Sequence, residues 1–205
     1  MDTGAKVVSD LAADIYSFVI STDLACIDLI NRLAHNGVFD RFMVYLTFAG
    51  NGGLIWLFLI VVLFAGGKPN LRKIALLALL ALVASYLLNE GLKLLIHRPR
   101  PYEALTAVDL LVNPLGLSRS SFPSGHAVAA FTSATILSRK LPRLAVVFLS
   151  LAVLMAFSRV YVGMHYFSDV LAGAAFGVGF GCLVLKNEGR ILNGAESLYR
   201  WFTRK

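Results

Sequence analysis

Two long apolar runs, residues 42–65 and 71–96, limit what this 205-residue chain can fold into. A helix needs roughly 17–25 apolar residues to cross a bilayer, and each run supplies them. Shorter apolar segments follow at about 126–141, 144–162 and 170–185. In lipid every backbone N–H and C=O must be paired within the segment, which selects helices. The expected fold is therefore all-α: a polytopic membrane helix bundle of five transmembrane helices in a single domain, 1–205. Composition excludes the soluble alternative. The chain is 58% hydrophobic and 15% charged, against about 45–50% and about 25% in soluble domains.

Residues 15–36 mix apolar and polar positions. Ile20, Leu24, Ile27, Ile30 and Leu33 recur at helical spacing among Asp23, Asp28, Asn31 and Arg32. The expectation is an N-terminal amphipathic helix lying in the interface. If residues 11–33 crossed instead, the bundle would have six spans. Asp10, Asp14 and Asp23 argue against a signal peptide. Cys26 and Cys182 lie in separate apolar stretches and suggest neither a disulfide framework nor a metal knuckle. Gly173, Gly177 and Gly181 repeat every four residues, a spacing that lets helices approach closely.

Charge sets the sides. The net charge of +7 comes from 19 Lys plus Arg against 12 Asp plus Glu. In a membrane chain such an excess faces anionic lipid and not nucleic acid. Lys68, Arg72 and Lys73 follow span one; Arg139, Lys140 and Arg143 follow span three; Lys186, Arg190, Arg200, Arg204 and Lys205 follow span five. These are alternate connections, so they share one face, expected to be cytoplasmic. The segments 97–125 and 159–169 then lie outside the cytoplasm.

Those two outer segments carry polar residues that an apolar bundle tolerates only for a reason. Lys93, Arg100 and Arg159 supply fixed positive charge, with arginine forks suited to phosphate oxygens. Ser124 and Gly125 open the third helix, whose N-terminal N–H groups and dipole favour an anion. His165 and Asp169 stand at i, i+4 on one helix face, so the carboxylate can orient the ring and leave one nitrogen nucleophilic. His126 stands at the anion-binding helix start, where it could protonate a leaving oxygen. A phosphate group fits this set.

Three segments, Lys93-x6-Arg100-Pro101, Pro123-Ser124-Gly125-His126 and Ser158-Arg159-x5-His165-x3-Asp169, carry these residues. In this the chain resembles the type 2 phosphatidic acid phosphatase superfamily, with a motif core over 93–169. The resemblance implies His165 as a nucleophile that forms a phosphohistidine, Asp169 as its orienting partner and His126 as general acid. It also implies Lys93, Arg100, Ser124, Gly125 and Arg159 as holders of the phosphoryl oxygens, and no metal or other cofactor. The related vanadate-dependent haloperoxidases are soluble, so composition argues against that branch.

The implied function is an integral membrane lipid phosphatase, placed in a bacterial cytoplasmic membrane with its site on the extracytoplasmic side. Undecaprenyl pyrophosphate is the preferred substrate. Phosphatidylglycerophosphate, phosphatidic acid and lipid A phosphate are the alternatives. A phosphate-headgroup transporter or binder is the non-enzymatic alternative, but it gives Asp169 nothing to do behind His165.

Other polar residues receive structural expectations. Glu90 makes a structural ion pair, with Lys93 or Arg159, in preference to reading the substrate; Asn89 makes a helix–helix hydrogen bond, and His35 is structural. His97 and Arg98 meet headgroups or water. Tyr161 and Tyr166 are interface aromatics, and Tyr102 is placed at the pocket mouth. The 102–121 loop, rich in leucine, dips into the interface beside the site.

Overall fold

The structure, a computed structural model, describes residues 3–33, 37–105, 108, 110–112 and 120–203. His35 and much of the 102–121 loop lie outside these residues.

The chain is all-helical, in the order α1 (Thr3–Leu33), α2 (Gly37–Gly50), α3 (Leu54–Ala65), α4 (Pro69–Leu95), the short α5 (Pro101–Ala104), α6 (Gly125–Lys140), α7 (Ala145–Tyr161), α8 (Phe167–Lys186) and α9 (Glu188–Thr203). Four stretches are long and apolar enough to cross a membrane: Gly37–Ala65, Pro69–Leu95, Pro142–Tyr161 and Phe167–Lys186. Their outward residues, among them Phe58, Val61, Leu87 and Val146, are apolar and exposed, as a lipid-facing surface requires.

The expected third span, α6, is different. It packs against α4, α7 and α8, and all but one of its residues from Ala127 to Leu137 are buried. Sixteen residues give it a length of about 24 Å. Facing protein and not lipid, it can carry Thr132, Ser133 and Thr135. The glycine repeat of α8 is what brings α6 and α8 together. A Cβ on Gly173 would sit 2.7 Å from the Ser124 carbonyl oxygen, and one on Gly177 would sit 2.7 Å from that of Val128.

Two expectations about the helices change. The first span is not continuous: Gly52 and Gly53 adopt φ of +58° and +76°, separating α2 from α3. Side chains other than glycine avoid this region, so the sequence places the break where backbone freedom is greatest. The N-terminal helix is 31 residues long and starts at Thr3, well before residue 15. It is largely exposed but buries Asp23 and Ile27 where it meets α7 and α8.

One element was not anticipated. The tail after α8 forms α9, whose Ile191 and Leu192 pack on the main core while Leu198, Tyr199 and Trp201 stay exposed. Lys140 at the end of α6 forms an ion pair with Glu188 at its start. Both cysteines are free.

Candidate active site

The site forms where α4 and α7 end and α6 and α8 begin. At the end of α7, Gly163 turns the chain with φ of +76°, a conformation glycine adopts without strain. The N–H groups of Met164 and His165 then both donate to the Arg159 carbonyl, at 3.1 and 3.2 Å. This turn fixes His165 beside Arg159. The chain enters α8 directly, and Asp169 accepts from the Tyr166 N–H at 2.9 Å through Oδ2.

The start of α6 docks onto the same place. Ser124 donates its N–H to the Asp169 carbonyl at 3.1 Å, and the missing side chain of Gly173 admits the Ser124 backbone. From α4, Lys93 reaches in, held by Glu90 at 2.8 Å, one of the two pairings expected from sequence. A Cβ on Gly125 would lie 3.2 Å from Asn89 Nδ2 and 3.5 Å from Lys93 Nζ. The bare Gly125 therefore lets its backbone lie close beside these two donors.

These elements enclose a cavity of about 370 Å³, within the roughly 300–1,000 Å³ typical of small-ligand pockets. Lys93, Arg100, Gly125, His126, Arg159 and His165 all line it. Ser124 and Asp169 are fully buried one layer behind. The inner wall continues over Leu57, Leu82, Val83 and Tyr86. Val83 and Tyr86 are also exposed on the outer face of α4, so this wall runs from the charged centre towards lipid.

The His165–Asp169 pair has more members than expected. Nδ1 lies 3.6 Å from Asp169 Oδ2, too far for a good direct hydrogen bond. Ser121 sits between them: its hydroxyl donates to Oδ2 and lies 3.4 Å from Nδ1. The network engages Nδ1 and leaves Nε2 as the other ring nitrogen. Burial, reinforced by Arg159 and Arg100, outweighs Asp169 and holds the His165 pKa down at about 4. The ring is neutral at ordinary pH, as a nucleophile must be.

On the opposite side Thr47 of α2 serves two cavity residues. Its hydroxyl accepts from Arg159 Nη1, and its carbonyl accepts from His126 Nε2 at 3.2 Å. Among the described residues Arg159 Nε has no hydrogen-bond partner, and Arg100 Nη1 points at the Met164 sulfur at 3.9 Å. Among the described residues no three His, Cys, Asp or Glu side chains come together as a metal site would need.

Several structural expectations are corrected. Arg98 does not face headgroups or water. It bonds Asp169 Oδ1 at 2.5 Å and Asp23 Oδ2 at 2.7 Å. Although burial opposes its charge, these two carboxylates raise its pKa. Tyr161 and Tyr166 are buried, not interfacial: Tyr161 donates to Asp40 at 2.5 Å, and Tyr166 lies under the Arg98 guanidinium at 4.1 Å. Asn89 is buried, and among the described residues neither of its amide atoms finds a hydrogen-bond partner, so the expected helix–helix hydrogen bond is not formed there. Within the 102–121 loop, Tyr102 and residues 110–112 pack against Met43, Tyr161 and Met164. Ser121, Thr47, Arg98 and Asp23 were not singled out for the site by sequence reasoning, since nothing in their spacing links them to the motif residues.

Residues 74–191 match the family profile of the PAP2 superfamily. The chain is 30% identical over 155 residues to the undecaprenyl-diphosphatase BcrC of Bacillus subtilis, covering 74% of this chain and 76% of that one. Its fold is similar to the crystal structure of Aquifex aeolicus LpxE, with a TM-score of 0.66, 33% identity, and coverage of 80% and 94%. It is also similar to a PAP2-type phosphatidylglycerolphosphate phosphatase from Bacillus subtilis, with a TM-score of 0.68, 30% identity, and coverage of 93% and 98%.

Proposed function

This chain belongs to the PAP2 superfamily, and from that premise we propose that it is a metal-independent membrane lipid phosphatase acting through a phosphohistidine on His165. The reading rests on one observation: Lys93, Arg100, Arg159, His126 and His165 face a single cavity beside the start of α6.

Lys93, Arg100 and Arg159 hold the phosphoryl oxygens, with the open N–H groups at the start of α6 completing the cradle. His165 Nε2 attacks phosphorus in line. The P–N bond forms as the P–O bond to the leaving group breaks, and His126 gives that oxygen a proton. Water then attacks the phosphohistidine, His126 takes its proton, and phosphate leaves. Three cations do the charge stabilisation that a metal performs elsewhere. Ser124 and Asp169 act from behind, shaping the cradle and holding His165.

The substrate is a lipid whose tails lie along the Val83 and Tyr86 wall while its phosphate reaches the centre. Undecaprenyl pyrophosphate is the preferred identity, supported by the name of the undecaprenyl-diphosphatase relative, with phosphatidylglycerophosphate as the alternative that the similar crystal structure supports. The site sits at the end of the bundle opposite Lys68, Arg72, Arg139, Lys140, Lys186 and Arg190. By the positive-inside rule it faces away from the cytoplasm of a bacterial cytoplasmic membrane.

The test is a panel incubated with purified protein and a chelator, scored for free phosphate. It holds undecaprenyl pyrophosphate, phosphatidylglycerophosphate, phosphatidic acid and a lipid A phosphate. Release from the first at the highest kcat/KM, lost in His165→Ala, is expected, with acid-labile label trapped on the wild type alone. Phosphate release by His165→Ala would remove the mechanism.

A further inference from the structure

Asp23 is 1% exposed on a helix that is otherwise mostly exposed. A buried carboxylate is costly unless fully bonded, and this one is. Oδ1 accepts from the Ser168 N–H at 2.8 Å. Oδ2 accepts from the Ser168 hydroxyl at 2.6 Å and from Arg98 Nη2 at 2.7 Å. The other arm of the same guanidinium, Nη1, donates to Asp169 Oδ1 at 2.5 Å and to the Ser168 hydroxyl at 2.7 Å. Arg98 is thus a fork with one tine on Asp23 and the other on Asp169, its flat face on the Tyr166 ring.

Two physical effects converge on Asp169. Ser168 is the second residue of α8, so Asp23 caps that helix from another one, satisfying an N–H that the helix leaves open. Asp169 stands in the same first turn. Asp23 also fixes the plane of Arg98 by holding its far side. With Oδ1 committed to Arg98, Oδ2 is left for Ser121 and the Nδ1 side of His165. Asp23 lies outside the matched family region, 145 residues from Ser168 in sequence.

We propose that Asp23 is a positioning residue for the His165–Asp169 pair, so that the N-terminal helix is a working part of the active site. The proposal rests on the reading of His165 as nucleophile and Asp169 as its partner. Asp23 touches no substrate; it acts through Arg98 and the α8 N-terminus.

The experiment compares Asp23→Asn, Asp23→Glu, Arg98→Lys and Ile27→Ala in the full-length purified protein, with lipid phosphate turnover and thermal unfolding measured on each. Ile27 is buried one turn from Asp23 on α1 and has no polar group to bond Arg98, so its truncation loosens the helix without removing a bond of that guanidinium. Asp23→Asn should lower kcat on the order of tenfold with KM held within about twofold, and Asp23→Glu should recover part of it. Ile27→Ala should lower the unfolding temperature while kcat stays within about twofold. Equal kcat losses in Asp23→Asn and Ile27→Ala would reduce Asp23 to a staple and overturn the proposal. Should Asp23→Asn fail to fold, Arg98→Lys decides. It keeps the charge but not the fork, and an undiminished kcat there is equally fatal. A His165→Ala control separates the two ideas: its inactivity beside an unimpaired Asp23→Asn sinks this proposal alone.

Discussion

Gly173 lies so close to Ser124 that a methyl group on it would sit 2.7 Å from the Ser124 carbonyl oxygen. That approach seats the start of α6 on the turn that carries Asp169. Gly173→Ala must push α6 away, and overpacking of this kind costs typically ~1–3 kcal/mol. Thermal unfolding in detergent should show the loss, with phosphate release falling alongside. Gly179 on the same helix has open space where its Cβ would be, so Gly179→Ala should leave both unchanged. Equal behaviour of the two variants would contradict the packing account.

Ser121→Ala removes the hydroxyl between Asp169 and His165 Nδ1. The ring then loses its nearest oxygen on that side, while the phosphate cradle is untouched. Groups that orient a working imidazole from behind are worth roughly 10–100-fold at metal sites, and a loss of that order in kcat with little change in KM is expected. Steady-state kinetics would decide it, and a change confined to KM would exclude the orienting role.

Thr47→Val keeps the shape of the side chain but leaves Arg159 Nη1 without its oxygen. An unpaired buried donor costs ~1–3 kcal/mol, or roughly 5–150-fold in kcat/KM. Product inhibition by inorganic phosphate should weaken in parallel, since Arg159 is part of the proposed cradle. Thr47→Ser retains the hydroxyl and should stay near wild type; a Ser variant as poor as the Val variant would show that the hydroxyl is not what matters.

The buried His165 ring, at about 4, should remain neutral where an ordinary histidine is charged. In the proposed mechanism its neutral form attacks phosphorus, so loss of activity from protonation of this ring is expected only as its own pKa is approached. At pH 5 about ten rings in eleven are still neutral. Nitrogen NMR of the labelled ring, assigned by comparison with His165→Gln, reads this without the substrate's own ionisation near pH 6. A midpoint between 6 and 7 would contradict the buried, cation-flanked environment.

The residues legible in the sequence are those whose type the chemistry dictates. The roles proposed for them, a nucleophilic imidazole, an acid and three phosphate-binding cations, leave few substitutes, and their spacings repeat the turns that hold them. The supporting residues are legible only in three dimensions. Thr47 meets Arg159 across 112 residues, and Asp23 meets Ser168 across 145. Threonine, serine and aspartate are common, and at such separations no helical period links them to the site. Asp23 even reads as evidence against burial, because the carboxylate is visible in the sequence and its pairing with Arg98 is not. The apolar outer helices were readable to within a few residues, since lipid selects composition directly. The break at Gly52 and Gly53 and the length of α1 were not, since local backbone geometry and contacts with α7 and α8 set them.

The burial of α6 reaches beyond packing. Screened from oil by its neighbours, it is free to be short and hydroxyl-rich, and a survey by apolarity alone passes over it. Apolarity alone gives four crossings; by the helix ends, the proposed fifth at α6 puts Arg139, Lys140 and Arg143 with Lys68 and Arg72, and without it they would fall beside Lys93. The parity of the whole topology therefore hangs on the helix that looks least like a membrane helix.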